Sequence, residues 1–234
     1  MRSERFSLPV DHPGIDEVSA LFEEPDAAIP TRRSAFLLAH GAGFHMESPW
    51  METVARGLVA RGYPVLRFNY PYWERALREK KRRPPDPAPR LEEAHARAAA
   101  ALRARAGDRR LILSGKSLGA RMGSHLAAKG VLCHGLVFFG YPLHPPGKPD
   151  RLRSEHFAAL VQPTLFLQGT RDPLCDLELL RRELRRFGGS VGLEVIEGAD
   201  HSFRVPRSSG RSDDQVLEDL LDRTAAWEAA AFPD

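Results

Sequence analysis

The sequence predicts an α/β protein with a mostly parallel, doubly wound sheet of about eight strands. Short aliphatic and β-branched runs alternate along the chain with longer patterns of helical periodicity. Several of these runs lead into glycine-containing loops, which is typical of strands that connect to crossover helices. The 234 residues suffice for one sizeable domain of this class, so we expect a single domain over residues 1–234.

The predicted elements follow one another in a regular order. Two strands around DHPG form an antiparallel hairpin at the sheet edge. A helix begins after Ser48, carries Pro49 at its first position and stops at Gly62. Helix propensity predicts a strong helix over residues 90–106. The other predicted strands are SAFLLA, YPVLRFNYP, RRLILSG, GLVFFGYPL, PTLFLQG and LEVIEG, and the other predicted helices are SLGARMGSHLAAKG, SEHFAAL, DLELLRRELRRF and DDQVLEDLLDRTAAWEAAAF.

Composition argues against several classes of protein. The chain is 42% hydrophobic and has a net charge of +3, with both signs spread along it. No apolar run approaches the roughly 18 residues of a membrane span, and the first residues lack the apolar core of a secretory signal. With 2 cysteines, a disulfide framework is not expected. We therefore expect a cytoplasmic protein with no membrane partner.

One segment has an unusual composition. Residues 78–83 read REKKRR and precede the proline-rich PPDPAP. A basic run can mark a surface for nucleic acid or an acidic partner, but no recognisable nucleic-acid-binding motif accompanies this one. We predict a mobile, solvated loop over about residues 74–90 and no nucleic-acid partner.

The central motif is Gly115-Lys116-Ser117-Leu118-Gly119, between a predicted strand and a predicted helix. A nucleophile elbow has this arrangement, with a serine in a tight strand-to-helix turn and glycines where strand and helix pack closely. The alternative is a helix N-cap serine in a glycine-rich turn. We predict that Ser117 is a catalytic nucleophile, because suitable partners occur elsewhere in the sequence.

Those partners are Asp172 in GTRDPL and His201 in GADHSF. Each follows a predicted strand, so both should lie at the same edge of the sheet as Ser117. A serine hydroxyl attacks only when a base removes its proton, and His201 can do this near neutral pH. Asp172 would orient the imidazole and stabilise its protonated form. The order Ser, Asp, His is the order that this architecture uses.

Two other aspartates are alternatives for the acid. Asp200 adjoins His201, and the side chains of neighbouring residues usually diverge. Asp176 has the position of an N-cap for the next helix. Asp172 therefore remains the predicted acid.

A tetrahedral intermediate also needs hydrogen-bond donors for its oxyanion. One donor should be the backbone N–H of Leu118, directly after the nucleophile. The other should come from the loop after SAFLLA, where Ala42 is the predicted donor and Gly43 the alternative. His40 is expected to shape this loop by hydrogen bonding rather than to act in catalysis.

Further side chains are candidates for the substrate pocket. His45 and Glu47 lie just beyond the glycine loop. Lys116 adjoins the nucleophile and would either favour acidic substrates or pair with a carboxylate such as Glu47. Cys175 is expected to be a packed free cysteine. No spacing typical of a metal site is present, so neither a metal nor another cofactor is expected.

These motifs resemble a branch of the α/β-hydrolase superfamily over nearly the whole chain, from about residue 6 to residue 227. The matching segments are HGAG, RFNYPY, GKSLGAR, GTRDPL and GADHSF. The branch includes a subunit of the NSL histone-acetyltransferase complex and a testis-expressed protein. The chain is also similar to the dienelactone hydrolases, whose nucleophile is a cysteine. The resemblance implies an α/β-hydrolase fold, with catalytic roles for Ser117, Asp172 and His201 and oxyanion donors at Leu118 and Ala42.

Only residues 144–162 separate GLVFFGYPL from PTLFLQG, too few for a large lid domain. A shallow, exposed site is therefore expected, suited to a small or exposed acyl group. We predict a serine hydrolase that cleaves an ester, thioester or amide through an acyl-enzyme, acting on a small molecule as a monomer or homodimer. The alternatives are a non-catalytic binding or scaffold protein that retains the fold, and an acyltransferase that uses the same residues.

Overall fold

The computed structural model describes residues 1–233, and a single eight-stranded sheet forms its centre. Every strand predicted from the sequence is present in it. In chain order the strands are β1 (Arg2–His12), β2 (Ile15–Glu24), β3 (Ser34–Ala39), β4 (Val65–Phe68), β5 (Arg110–Lys116), β6 (Gly135–Phe139), β7 (Thr164–Gly169) and β8 (Val191–Ile196).

Within the sheet the strands lie in the order β1-β2-β4-β3-β5-β6-β7-β8. β1 and β2 form the predicted antiparallel hairpin, and β2 also pairs antiparallel with β4. The strands from β4 onward in this order are all parallel to their neighbours. The sheet is therefore mostly parallel, as predicted, and the carboxyl ends of β3 to β8 meet at one edge.

Helices cover both faces of the sheet. They are α1 (Pro49–Ala60), α2 (Pro71–Glu79), α3 (Ala88–Ala106), α4 (Leu118–Ala128), α5 (Leu177–Leu184) and α6 (Asp213–Ala231). No helix among residues 1–233 combines the length and apolar character needed to cross a membrane.

Two apolar cores result, one on each face. Along β3, Leu37 and Ala39 pack with α3 and α4, while Phe36 and Leu38 pack with α1 and α6. Successive side chains of a strand point to opposite faces, so a strand covered on both sides reads as an unbroken apolar run. This explains why SAFLLA is fully buried.

The expected loop over residues 74–90 is shorter than predicted. Residues 71–79 form α2, and α3 already begins at Ala88, which leaves residues 80–87 without helix or strand. Pro71 is favourable at a first helical turn, and Glu79 pairs with Arg75 four residues before it and Arg83 four residues after it. The pair with Arg75 stabilises α2, and the pair with Arg83 links the end of this helix to the segment that follows.

The second difference concerns SEHFAAL, which was predicted to be a short helix. It contains only a 3₁₀ turn, Phe157–Ala159, within the connection from β6 to β7. The preference for a helix is overridden because Phe157 is buried among Tyr141, Phe166 and Phe187. The short connection is held in place by this aromatic contact rather than by helical hydrogen bonds.

A buried ion pair joins the hairpin to the parallel part of the sheet. Arg67 of β4 is 2% exposed, and its Nε and Nη2 lie 2.9 and 2.7 Å from Oε2 of Glu23 on β2. Its Nη1 donates to the backbone carbonyl of Met46. The same guanidinium thus fixes the edge of the sheet and the loop that follows β3.

Breaking this pair should be strongly destabilising. Glu23→Gln leaves the Arg67 charge buried without its counter-charge, which typically costs about 3 to 5 kcal/mol in the free energy of unfolding. Urea denaturation measures this loss. Glu93→Gln is the control, because its pair with Arg97 is exposed on α3 and contributes less than about 1 kcal/mol. Equal losses in the two variants would contradict this account.

Candidate active site

Ser117 occupies a single-residue turn between β5 and α4. Its backbone has φ 52° and ψ −107°, a strained conformation for a residue other than glycine. The flanking glycines have no room for a side chain. A Cβ at position 119 would lie 2.3 Å from the Ala39 carbonyl oxygen, and one at position 115 would lie 2.5 Å from the Gly119 carbonyl carbon. The predicted elbow geometry is therefore present.

The structure brings Ser117, His201 and Asp172 together at the carboxyl edge of the sheet. His201 Nε2 lies 2.8 Å from the Ser117 hydroxyl oxygen, and His201 Nδ1 lies 2.7 Å from Asp172 Oδ2. The Asp172 side chain is fully buried, whereas that of His201 is 23% exposed. A continuous hydrogen-bonded chain thus runs from a buried carboxylate to a half-buried hydroxyl.

The Asp172 carboxylate is held by two further donors. Gln168 Nε2 donates to Oδ2 at 2.6 Å, and the Leu174 N–H donates to Oδ1 at 2.8 Å. Together with the imidazole, these contacts fix the carboxylate orientation. Gln168 was not identified from the sequence, because it reads as an ordinary residue near the end of a strand. Its position four residues before Asp172 is the only signal that was available.

The two alternative aspartates have other partners. Asp176 caps α5 by accepting from the N–H groups of Glu178 and Leu179 at 2.9 and 3.0 Å. Asp200 Oδ1 accepts from the N–H groups of Ser202 and Arg204 at 2.8 and 2.9 Å, and so it shapes the turn that carries His201. Both carboxylates therefore stabilise backbone.

The glycine loop after β3 lies against the elbow. A Cβ at position 41 would stand 3.5 Å from the Ser117 Cβ. Tyr72 donates its hydroxyl to the Ala42 carbonyl at 3.2 Å, which fixes the loop from the side of α2. On the side of the elbow, Leu118 is the first residue of α4. Its N–H therefore has no acceptor inside the helix.

His40 has the structural contacts expected of it. Its Nδ1 lies 2.8 Å from the Gly41 carbonyl oxygen, and its Nε2 accepts from the Tyr70 N–H at 3.1 Å. Complete burial lowers the pKa of His40 to about 4, so the ring is neutral at pH 7. A neutral ring with Nδ1 protonated satisfies both contacts.

His45 and Glu47, the two pocket candidates beyond this loop, face neighbouring elements. His45 stacks on Trp73 of α2 with ring centroids 4.8 Å apart. Glu47 pairs with Arg5 of the hairpin. Both contacts tie the loop to its surroundings.

Lys116 is buried beneath the site. It is 1% exposed, and its Nζ donates to the His201 backbone carbonyl, 5.2 Å from the Phe203 ring centroid. Glu47, its expected partner, binds Arg5 instead. Side chains alternate along a strand, so Lys116 shares the face of buried Ile112, a relationship already present in the sequence.

Cys175 is 4% exposed, and burial raises the pKa of its thiol well above the ordinary value. It is a packed, free cysteine, as expected. Among residues 1–233, no group of three or more histidine, cysteine, aspartate or glutamate side chains is placed to hold a metal ion.

The site is open to solvent. Residues 140–163, which connect β6 to β7, contain one 3₁₀ turn and no lid domain. A cavity of about 680 Å³ opens at the opposite end of the sheet, around Arg32 and Arg110, and none of the predicted site residues lines it. That cavity is remote from Ser117, which follows the carboxyl end of β5.

The buried ammonium of Lys116 should give stability a particular pH dependence. Burial lowers its pKa from 10.5 to about 8, so between these values the unfolded chain binds more protons than the folded protein. Stability relative to Lys116→Met should therefore rise by roughly 2 to 3 kcal/mol from pH 7 to pH 10. Denaturant titrations at several pH values measure this. Lys148→Met is the control, because Lys148 is exposed. If the difference in unfolding free energy between the wild type and Lys116→Met did not change with pH, the proposed buried charge would be contradicted.

Comparison with known proteins gives the family. A sequence profile described as the alpha/beta hydrolase domain matches residues 32–229. Among solved structures, a dienelactone hydrolase from Anabaena variabilis is 21% identical with a TM-score of 0.74, over 99% of this chain and 98% of that one. The fold is therefore shared along the whole chain.

Two further structures are similar. An α/β serine hydrolase without a lid, from Xanthomonas campestris, is 19% identical with a TM-score of 0.72, over 99% of this chain and 96% of that one. A cold-adapted esterase from an Arctic intertidal metagenomic library is 21% identical with a TM-score of 0.69, over 96% of this chain and 93% of that one. Because the family profile matches most of its length, the chain belongs to the α/β-hydrolase family.

Proposed function

We propose that the protein is a serine hydrolase that cleaves an ester, thioester or amide through an acyl-enzyme on Ser117. The observation that carries this proposal is the hydrogen-bonded chain from the Ser117 hydroxyl through His201 to Asp172, with contacts of 2.8 and 2.7 Å. Membership of the α/β-hydrolase family supports it. The similar structures include an esterase and a serine hydrolase.

In the first step, the Ser117 oxygen attacks the substrate carbonyl carbon while its proton passes to His201 Nε2. The imidazolium that forms is stabilised by the Asp172 carboxylate on its other nitrogen. Because Gln168 and Leu174 also bind this carboxylate, it does not have to reorient as charge develops. The base is therefore kept in the tautomer that accepts at Nε2.

The tetrahedral intermediate carries its negative charge on the former carbonyl oxygen. We assign the backbone N–H groups of Leu118 and Ala42 as the donors to this oxygen, with Gly43 as the alternative to Ala42. The amino end of α4 adds a favourable dipole. Collapse of the intermediate expels the leaving group with the proton from His201, and water activated by the same histidine then releases the acyl group.

The open site favours a small or exposed acyl group on a small-molecule substrate. No lid domain covers Ser117, and residues 140–163 are too few to enclose a long chain. Both cysteines are free and buried, which fits a reducing cytoplasm. Within the family, the motifs HGAG, GKSLGAR and GADHSF favour the branch with the NSL-complex subunit and the testis-expressed protein. We expect a monomer or homodimer.

Labelling with a fluorophosphonate probe tests the nucleophile. The wild-type protein should be labelled, and Ser117→Ala should abolish labelling because the reacting oxygen is removed. Ser209→Ala, an exposed serine in the turn before α6, is the matched control and should be labelled normally. An unlabelled wild type, or undiminished labelling of Ser117→Ala, would favour a non-catalytic protein that retains the fold.

Replacement of the acid tests the role of Asp172. Asp172→Asn should lower turnover of an ester substrate by about 10⁴, because the imidazole loses its orienting charge and preferred tautomer. The control is Asp176→Asn, which alters the α5 cap and should change turnover by less than about tenfold. A loss below tenfold in Asp172→Asn would reassign the acid.

A further inference from the structure

A pocket of about 370 Å³ opens directly beside the glycine loop. Ala42 and Gly43 form one wall, and α2 with the basic segment after it forms the other. Both loop residues are exposed. In the proposed function they lie next to the oxyanion, so an occupant of this pocket would be close to the scissile carbonyl.

The floor of the pocket is apolar. Trp73, Ala76 and Leu77 line it, and their spacing of three and four residues places them on one face of α2. Leu77 is 56% exposed and is one of four large apolar side chains left in solvent among residues 1–233. The floor offers apolar contact to a short hydrocarbon or aromatic group.

The rim is strongly basic. Lys80, Lys81, Arg82 and Arg83 line it. Arg83 pairs with Glu79, whereas the other three are exposed and make no ion pair within residues 1–233. Lys80 ends α2 in a left-handed conformation with φ 50°, which turns the chain back along the pocket. Three uncompensated cations thus stand over an apolar floor.

The apolar floor of the pocket is fixed in position relative to Ser117. The Tyr72 hydroxyl bonds to the Ala42 carbonyl, and the His45 ring stacks on Trp73. These contacts join α2 to the glycine loop, which itself packs against the elbow at Gly41. The start of α2, which contributes Trp73 to the floor, is therefore held in a fixed position relative to the nucleophile, and the basic rim follows directly after this helix.

We propose that this pocket binds an anionic group of the substrate, so that the preferred substrates are esters or thioesters carrying a carboxylate or a phosphate. The inference rests on the proposed function at Ser117 and names its substrate class. Lysine and arginine are the usual partners of both anions. A short apolar spacer on Trp73 and Leu77 would connect the anion to the scissile bond. The basic residues 80–83 would then serve to attract an anionic substrate to the site.

Matched esters test the proposal. The compounds are 4-acetoxybenzoate, 4-acetoxyphenyl phosphate and neutral 4-acetoxybenzamide, which share the ester and the ring. The wild-type protein should show a kcat/KM about tenfold higher for at least one anion than for the amide, since each exposed charge pair contributes modestly. The advantage should shrink at high ionic strength. Comparing the carboxylate with the phosphate identifies which anion is preferred.

Removal of the rim charges should remove the preference. In the triple variant K80A/K81A/R82A, the ratio of kcat/KM for anion to amide should fall by about tenfold. The control R181A/R185A/R186A removes three exposed cations near α5, beside β8 at the other edge of the sheet, and should keep the wild-type ratio. No preference in the wild type, or a preference that survives in K80A/K81A/R82A, overturns the proposal.

Binding to Ser117→Ala separates this proposal from the proposed function. The variant should bind the preferred anion and not the amide, with quenching of Trp73 fluorescence that is lost in Trp73→Phe and weakened by K80A/K81A/R82A. Such binding without hydrolysis by the wild type would support the anion pocket and refute the hydrolase. Hydrolysis of all three esters with neither an anion preference nor anion binding would refute the pocket alone.

Discussion

The close approach of β3, β5 and α4 is the constraint on which the site depends. At Gly115 and Gly119 the backbones are too near for any side chain, and the chain can reverse between them only through the strained residue Ser117. That geometry raises one hydroxyl above the edge of the sheet. The loops after β7 and β8 end at the same edge because the strands are parallel. A buried carboxylate and an imidazole can therefore meet this hydroxyl without a dedicated supporting domain.

Around this constraint, the loops are held by side chains that lie buried beneath the site. Arg67 anchors the loop after β3 through the Met46 carbonyl, and His40 fixes its first turn. Lys116 holds the loop of His201 from below by bonding to its carbonyl. Each of these groups is buried and polar, so each has a desolvation penalty that its hydrogen bonds must offset. The rigidity of the open site therefore depends on the hydrogen bonds of these buried polar groups beneath it.

Much of this arrangement could be predicted from the sequence, and the exceptions have physical causes. Apolar runs reveal strands buried on both faces, and a serine between glycines at a strand end reveals the elbow. The α2 helix escaped prediction because the charged run at residues 78–83 reads as loop and overlaps the end of this helix, although pairs such as Arg75 with Glu79 stabilise it. Arg67 and Gln168 escaped because their partners depend on tertiary contacts. Lys116 was a pocket candidate because it adjoins Ser117 in the sequence. The alternation of side chains along β5 instead places it on the buried face of Ile112.

The missing lid has a kinetic consequence. In hydrolases with a mobile cover, closure and reopening around the ligand often limit turnover. Here the short connection from β6 to β7 is pinned by Phe157 and has no hinged element over the nucleophile. The proposed reaction therefore needs no rearrangement of this segment for a substrate to enter or a product to leave. Under the mechanism proposed above, closure of this segment would therefore not limit turnover, and bulk water would reach the acyl-enzyme directly.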